Sequence, residues 1–68
     1  MEEVQARCGV IRLGQLLQVA GLVESGGEAK ALLATGTVLV NDESETRRGR
    51  QLHPGDVVAA GDDAVRVT

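Results

Sequence analysis

The chain has 68 residues, of which 43% are hydrophobic and none is aromatic, and its formal net charge is −3. This length and composition indicate one small globular domain with a core of Leu, Val, Ile and Ala. Because no Phe, Tyr or Trp is present, unpaired bases have no aromatic platform on which to stack, which argues against that mode of single-strand binding. The acidic balance argues against bulk electrostatic attraction to nucleic acid, but it is compatible with a local basic surface.

The cysteine and motif content limit the chemistry further. Cys8 is the single cysteine, so the chain forms no intrachain disulfide and has no cysteine zinc site. No apolar run approaches the ~20 residues of a membrane span, and no signal-peptide pattern opens the sequence, so we expect a cytoplasmic protein. A phosphate-binding glycine motif with lysine, a Ser/His/Asp grouping and paired carboxylates in an apolar pocket are also missing. The sequence therefore predicts a protein that is not an enzyme, with no metal, no cofactor and no small-molecule substrate.

The N-terminal part of the sequence predicts a polar arm followed by one short helix. Residues 1–7 are mostly polar and are expected to be a frayed arm, and a short strand is expected within Cys8–Ile11. Apolar residues at helical spacing predict a first helix over Leu13–Ala20. Gly21 is expected to end this helix, because glycine adopts the left-handed C-terminal conformation without steric cost.

A second helix has a clear start signal. Ser25 and Glu28 have the spacing of a capping box, in which each side chain binds a backbone N–H of the first turn. Gly36 is expected to end the helix. Ser25 is explained more simply as this cap than as a ligand group.

The second half of the chain has the pattern of short strands and turns. Alternating β-branched residues predict a strand over Thr37–Val40, followed by a tight turn at Asn41-Asp42. The segment Glu45–Leu52 is expected to return as an irregular strand. A turn at residues 53–56 then leads into a terminal hairpin over residues 57–67.

The arginine cluster is the sharpest candidate for a binding site. Three arginines, Arg47, Arg48 and Arg50, fall within four residues of an acidic chain. Guanidinium groups form planar, bidentate hydrogen bonds to phosphate. In an extended segment Arg48 and Arg50 would point one way and Arg47 the other. Alternatively, the arginines form surface salt bridges, worth ~0–1 kcal/mol each, with nearby acids, namely Glu43, Glu45 and Asp56.

Two features of the second helix could extend this basic surface. Lys30 joins the arginines if its face of the helix turns toward them, and otherwise serves solubility alone. Gly26 and Gly27 expose backbone N–H groups in the first turn of the helix, where phosphate can bind. Against this, Ser25 and Glu28 already use part of those donors, and the Glu28 carboxylate would repel an anion.

The joint spacing of several motifs resembles the RNA-binding domain named after small-subunit ribosomal protein S-four, also called the αL motif. The motifs are Arg12-Leu13 at a helix start, the series from Ser25 through Ala29-Lys30, Leu33, Gly36 and Val38 to Val40-Asn41, and Gly55-Asp56-Val57-Val58. The resemblance is strongest over residues 12–59. It implies an α+β fold, in which two helices pack on a small, mostly antiparallel sheet, as a single domain over residues 1–68. The Glu45–Arg48 segment looks like that of small, free-standing bacterial members.

This resemblance implies binding of structured RNA through the helix pair and the adjoining strand. Arg12 matches the family's arginine and is expected to line the same groove, unless it forms a salt bridge with Glu24 or Glu28. The chain departs from the family at three places, one of which is Asp42, where a glycine is frequent after the asparagine. Gly26 stands where an arginine is frequent, so one phosphate contact is missing, and Gly14 stands where an aspartate is frequent.

Together, the residues and the resemblance predict a monomeric RNA-binding module that recognises structured RNA, with ribosomal and transfer RNA as the candidates. Its site residues are expected to be Arg12, Ser25, Gly26, Lys30, Arg47, Arg48 and Arg50. The alternative is a protein-interaction module that docks an acidic partner in a ribosome-associated or RNA-processing complex. No membrane partner is expected for either function.

Overall fold

Two consecutive helices are flanked by short strands along the chain. The computed structural model describes residues 1–68. Its elements are β1 (Glu2–Val4), a 3-10 turn (Arg7–Gly9), β2 (Ile11–Arg12), α1 (Leu13–Val19), α2 (Gly26–Ala34), β3 (Leu39–Val40), β4 (Glu43–Ser44), β5 (Gln51–Leu52), β6 (Val57–Ala60) and β7 (Asp63–Val67). Five strands form one sheet in the order β1-β7-β6-β3-β4, and β2 pairs with β5 in a second. Only the β1–β7 pair is parallel. The predicted class, two helices on a small and mostly antiparallel sheet, is confirmed.

The helix α1 follows the predicted apolar spacing. Leu13, Leu16 and Leu17 have no exposed surface, because residues three and four apart lie on one helix face. The helix ends at Val19, one residue earlier than predicted. Gly21 has a φ of 77°, as expected for a glycine that follows a helix end.

The helix α2 begins at its predicted cap. The Ser25 hydroxyl accepts a hydrogen bond from the backbone N–H of Glu28 at 3.1 Å. The other half of the predicted box differs, because the Glu28 carboxylate accepts from the backbone N–H of Glu24 at 2.6 Å rather than from Ser25. Gly36, with a φ of 75°, follows the last turn as predicted. Neither helix is long and apolar enough to cross a membrane.

The core lies between the two helices and the five-stranded sheet. The Asn41-Asp42 turn joins β3 to β4 with φ values of 51° and 70°, which both residue types tolerate. The predicted terminal hairpin is formed by β6 and β7. The fully buried side chains come from both helices, the sheet and β5, and each contributes about 1.5–3 kcal/mol of transfer free energy; the largest are Leu13, Leu16, Leu17, Leu33, Val38, Val40, Leu52, Val58, Val65 and Val67.

The prediction of a frayed arm over residues 1–7 is wrong. Residues Glu2–Val4 form β1, which pairs in parallel with β7 in the register Val4↔Val67. The backbone N–H of Thr68 donates to the carbonyl of Val4, and that of Ala6 donates to the carbonyl of Thr68, both at 2.9 Å. The polar composition of this segment suits a short edge strand, and its partner lies at the opposite end of the sequence, so no local pattern reveals the pairing. The strand expected within Cys8–Ile11 begins only at Ile11.

The prediction of an irregular strand over Glu45–Leu52 is also wrong for most of that segment. Only Gln51–Leu52 pairs as a strand, antiparallel to β2. Residues 45–50 form a loop, called the arginine loop below. Its backbone groups bind α1, its own turn and, through the N–H of Glu45, the carbonyl of Val38 just before β3.

Candidate nucleic-acid interface

The arginine loop packs against the first turn of α1. The backbone N–H of Leu13 donates to the carbonyl of Arg50, and that of Gly14 donates to the carbonyl of Arg48, both at 2.9 Å. The first N–H groups of a helix have no acceptor within the helix. The loop supplies two of those acceptors, so its position is fixed by main-chain hydrogen bonds rather than by side chains alone.

Gly14 permits this close approach. A Cβ atom at position 14 would lie 3.3 Å from the Cβ of Arg48 and 3.4 Å from its carbonyl oxygen. The first distance is tighter than ordinary van der Waals contact and the second lies at its limit, so a larger residue requires the loop to shift relative to the helix. Gly14 stands where an aspartate is frequent in the resembled family, and the seated loop explains the departure.

Glu45 organises one side of the arginine loop. Only 7% of this residue is exposed, and its carboxylate accepts hydrogen bonds from the Arg47 Nε at 3.1 Å and from the Arg50 Nη1 at 2.8 Å. It also accepts from the backbone N–H of Arg47 at 3.2 Å. The hydrogen bond from the Arg47 side chain, followed by that from Arg50, lowers the pKa of Glu45 from 4.5 to about 2. The same carboxylate raises the pKa of the Arg47 guanidinium.

The side chains of the three arginines therefore do not alternate in direction, as an extended segment would predict. Arg47 and Arg50 both bind Glu45, which forms the two salt bridges of the structure, and Arg48 has no ion pair. The physical reason is a turn, since the backbone N–H of Arg50 donates to the carbonyl of Arg47 at 3.2 Å. An extended strand would have placed Arg48 and Arg50 on the same side. Of the three acids considered as partners, only Glu45 forms a salt bridge.

Arg48 faces a groove that both helices help to form. The groove has a volume of about 270 Å³ and is lined by Arg12, Gly14, Gln15, Gln18, Gly26, Ala29, Arg48 and Gly49. It is called the Arg12–Arg48 groove below. Neither arginine forms a salt bridge, and no carboxylate is among the lining residues. The two unpaired guanidinium groups therefore make the groove locally basic, although the chain as a whole is acidic.

A second depression lies on the paired side of the arginine loop. Its volume, about 590 Å³, is larger than that of the Arg12–Arg48 groove, and Arg47, Arg50 and Asp56 are among its lining residues. The backbone N–H of His53 and the side chain of Asn41 hold the pKa of the Asp56 carboxyl below its usual value. This depression combines paired arginines with an ionised carboxylate, so it attracts an anion less strongly than the Arg12–Arg48 groove does.

Pairing between β2 and β5 brings Arg12 to the groove. Arg12 lies opposite Gln51 in this pair, next to the end of the arginine loop. Its backbone N–H donates to Gln15 Oε1 at 3.3 Å. The alternative salt bridge with Glu24 or Glu28 does not form.

The predicted residues of α2 are placed less uniformly. Gly26 lines the Arg12–Arg48 groove. Lys30 is exposed one helical turn further along and does not line the groove. The Ser25 hydroxyl serves as the helix cap and is also outside the lining residues. A role for any of these residues in binding stays a prediction.

Sequence reasoning missed the two glutamines of the groove and the organising role of Glu45. Gln15 and Gln18 lie three residues apart on α1, a spacing that places them on one helix face. That spacing was the available signal. The burial of Glu45 had no local signal, because most charged residues on short turns are exposed.

Fold and site together define a class: a small α+β domain with a cationic groove where its two helices begin. Residues 4–68 match the S4 domain family, and the chain belongs to this family. The resemblance found in the sequence is confirmed, and the match extends beyond residues 12–59 in both directions. A similar protein is the probable ribosome maturation protein RlbA of Bacillus subtilis (strain 168), which is 55% identical over 49 residues. The aligned region covers 72% of this chain and 69% of the relative.

Proposed function

We propose that this protein is a monomeric, cytoplasmic module that binds structured ribosomal RNA during ribosome maturation and catalyses no reaction. The observation that carries the proposal is the Arg12–Arg48 groove, where two unpaired guanidinium groups face a cavity without a carboxylate. Membership of the S4 domain family and the name of the relative support the RNA and the process.

The groove chemistry fits the sugar–phosphate backbone better than it fits a base. Guanidinium groups bind phosphate oxygens through two parallel hydrogen bonds. The amides of Gln15 and Gln18 add neutral donors and acceptors, which suit a ribose hydroxyl. Bases have no aromatic side chain to stack on, because the chain contains none. Recognition through backbone and shape is how proteins mostly bind double-stranded RNA.

The arginine loop gives this surface a fixed shape before RNA arrives. Its carbonyls bind the first turn of α1, and Glu45 holds Arg47 and Arg50. Ordering a flexible basic loop upon binding would cost conformational entropy. A loop that is already ordered avoids that cost, so a few phosphate contacts suffice for useful affinity.

RNA binding at several salt concentrations tests the proposal. The probes are purified ribosomal RNA, transfer RNA and a DNA duplex of similar length, and the readout is a mobility shift or filter binding. We expect ribosomal RNA to bind most tightly, with log Kd changing with log salt by about 0.7–0.9 for each phosphate contact. The Arg12→Ala/Arg48→Ala variant is expected to weaken binding about a hundredfold, by about 1.4 kcal/mol for each arginine.

Arg66→Ala is the matched control, because Arg66 is exposed on β7 and does not line the groove. It is expected to bind as the wild type does. If the groove variant and the wild type have equal affinity, the proposed site is wrong. Association with a ribosomal fraction that survives ribonuclease would instead favour the protein-docking function.

A further inference from the structure

Three of the nine glycines have no evident role in the fold. Five others adopt left-handed φ values, and Gly14 accommodates the arginine loop. The remaining three, Gly26, Gly27 and Gly49, do not have such φ values. A Cβ at Gly26 or Gly49 would meet no atom within 4 Å, and a Cβ at Gly27 would meet only the Ser25 hydroxyl oxygen at 3.8 Å.

Glycine is an unfavourable choice where the backbone does not require it. It loses more conformational freedom on folding than any other residue. Alanine at a compatible position stabilises a protein by restricting the unfolded chain. Gly26 lies in the first turn of α2 and Gly49 in the arginine loop, so folding alone favours a side chain at both positions.

These two glycines share a location that the third lacks. Gly26 and Gly49 come from different elements, yet both line the Arg12–Arg48 groove, whereas Gly27 does not. The space that a Cβ would occupy at either position is empty in the fold. A side chain there would extend into space that a ligand can otherwise use.

We propose that Gly26 and Gly49 are specificity-determining residues that keep the Arg12–Arg48 groove bare. The sugar–phosphate backbone of RNA then lies against their main chain, close enough for Arg12 and Arg48 to reach its phosphates. The inference rests on the proposed function and deepens it, because it assigns the groove to the RNA backbone rather than to a base or a protein side chain. It also explains Gly26, where an arginine is frequent in the resembled family, as an opening in the groove rather than a lost contact.

Alanine substitutions test the inference with two independent measurements. The variants are Gly26→Ala, Gly49→Ala and the double substitution, and the matched control is Gly27→Ala, the same change one residue away. Stability is measured as the urea midpoint, and binding as the Kd for purified ribosomal RNA. We expect every variant to have an unchanged or higher midpoint. We expect each groove variant to raise the Kd about fivefold, the double variant to raise it further, and Gly27→Ala to leave it unchanged.

Different results would overturn the inference. Groove variants that bind RNA like the wild type show that the groove need not be bare, and a lowered urea midpoint shows that the fold needs these glycines. An equal loss of binding in Gly27→Ala points to a general effect on α2. In each case the proposed function stands if Arg48→Ala still weakens binding. If the wild type does not bind ribosomal RNA, both the function and the inference are wrong.

Discussion

On one side of the arginine loop, Arg47 and Arg50 bind the buried carboxylate of Glu45. On the other side, Arg48 has no ion pair and faces a groove that also contains Arg12. The same residue type therefore has two different environments within four positions of the sequence. The paired arginines determine the shape of the loop, and the unpaired ones supply most of the attraction for an anion. A cluster of basic residues is a guide to a binding surface only after its internal carboxylates have been located.

The largest effect is expected when the contact between the arginine loop and the first turn of α1 is disturbed. Gly14→Val places a branched side chain where even a Cβ lies 3.3 Å from the Cβ of Arg48. We expect a loss of about 1–3 kcal/mol in the free energy of unfolding, faster amide exchange at Leu13 and weaker RNA binding. Urea unfolding and hydrogen exchange measure these changes. Gly27→Val is the matched control, since a Cβ at that position would meet only the Ser25 hydroxyl oxygen at 3.8 Å. Equal stability of the two variants would argue against tight packing of the arginine loop on α1.

The two sides are compared directly by single substitutions. We expect Arg48→Ala to raise the Kd for ribosomal RNA about tenfold, equivalent to about 1.4 kcal/mol, and to reduce the salt slope by about 0.7–0.9. Arg47→Ala is expected to raise the Kd less than about threefold, because Arg47 lies outside the Arg12–Arg48 groove and its guanidinium is paired with Glu45. Filter binding at several salt concentrations measures both. A larger effect from Arg47→Ala would reverse the roles of the two sides.

Acid unfolding tests the side of the arginine loop on which Glu45 pairs with Arg47 and Arg50. The folded pKa of Glu45, about 2, lies below its ordinary value of 4.5. Its ionised form therefore stabilises the fold above pH 4.5, and this contribution is lost as the pH falls from 4.5 toward 2. Urea midpoints across this range should fall less steeply for Glu45→Gln than for the wild type. Glu43→Gln, at an exposed position of β4, should retain the wild-type slope, and Asp56 contributes the same direction of pH dependence to all three proteins.

The smallest effect is expected for the uncharged polar residues that line the Arg12–Arg48 groove. Gln18 is exposed on α1 and lines the groove, and its amide can bind a ribose 2′-hydroxyl. Gln18→Ala should reduce the preference for RNA over DNA of the same sequence about twofold, without changing stability. Gln5→Ala, at an exposed position outside the groove, is the control. An unchanged ratio of RNA to DNA affinity would assign Gln18 no part in recognition.

Local signals predicted the parts of the fold that local forces determine. The leucines of α1, the Ser25 cap and the Asn41-Asp42 turn all depend on residues within a few positions of each other, and all three are confirmed. The strand β1 was missed because its partner, β7, lies at the far end of the sequence. Distant pairing leaves no periodic pattern in so short a segment.

Only part of the candidate site could be predicted from the sequence, because the rest depends on contacts between distant residues. The basic residues were found by their type, and Arg12 by the resemblance. The separation of the paired arginines from Arg48 was not predicted. It depends on the two loop carbonyls that accept from N–H groups of α1 and on the burial of Glu45. These are tertiary contacts, which neither spacing nor composition reveals.

Because the carbonyls of Arg48 and Arg50 are already bound to α1, RNA meets a surface whose geometry is set before contact. Binding then needs no slow rearrangement of the loop, and association should proceed at a rate governed by diffusion and electrostatic steering. Differences in affinity among RNA targets should appear chiefly in the lifetime of the complex. A protein of this kind would sample many RNA sites rapidly and remain longest where the backbone fits.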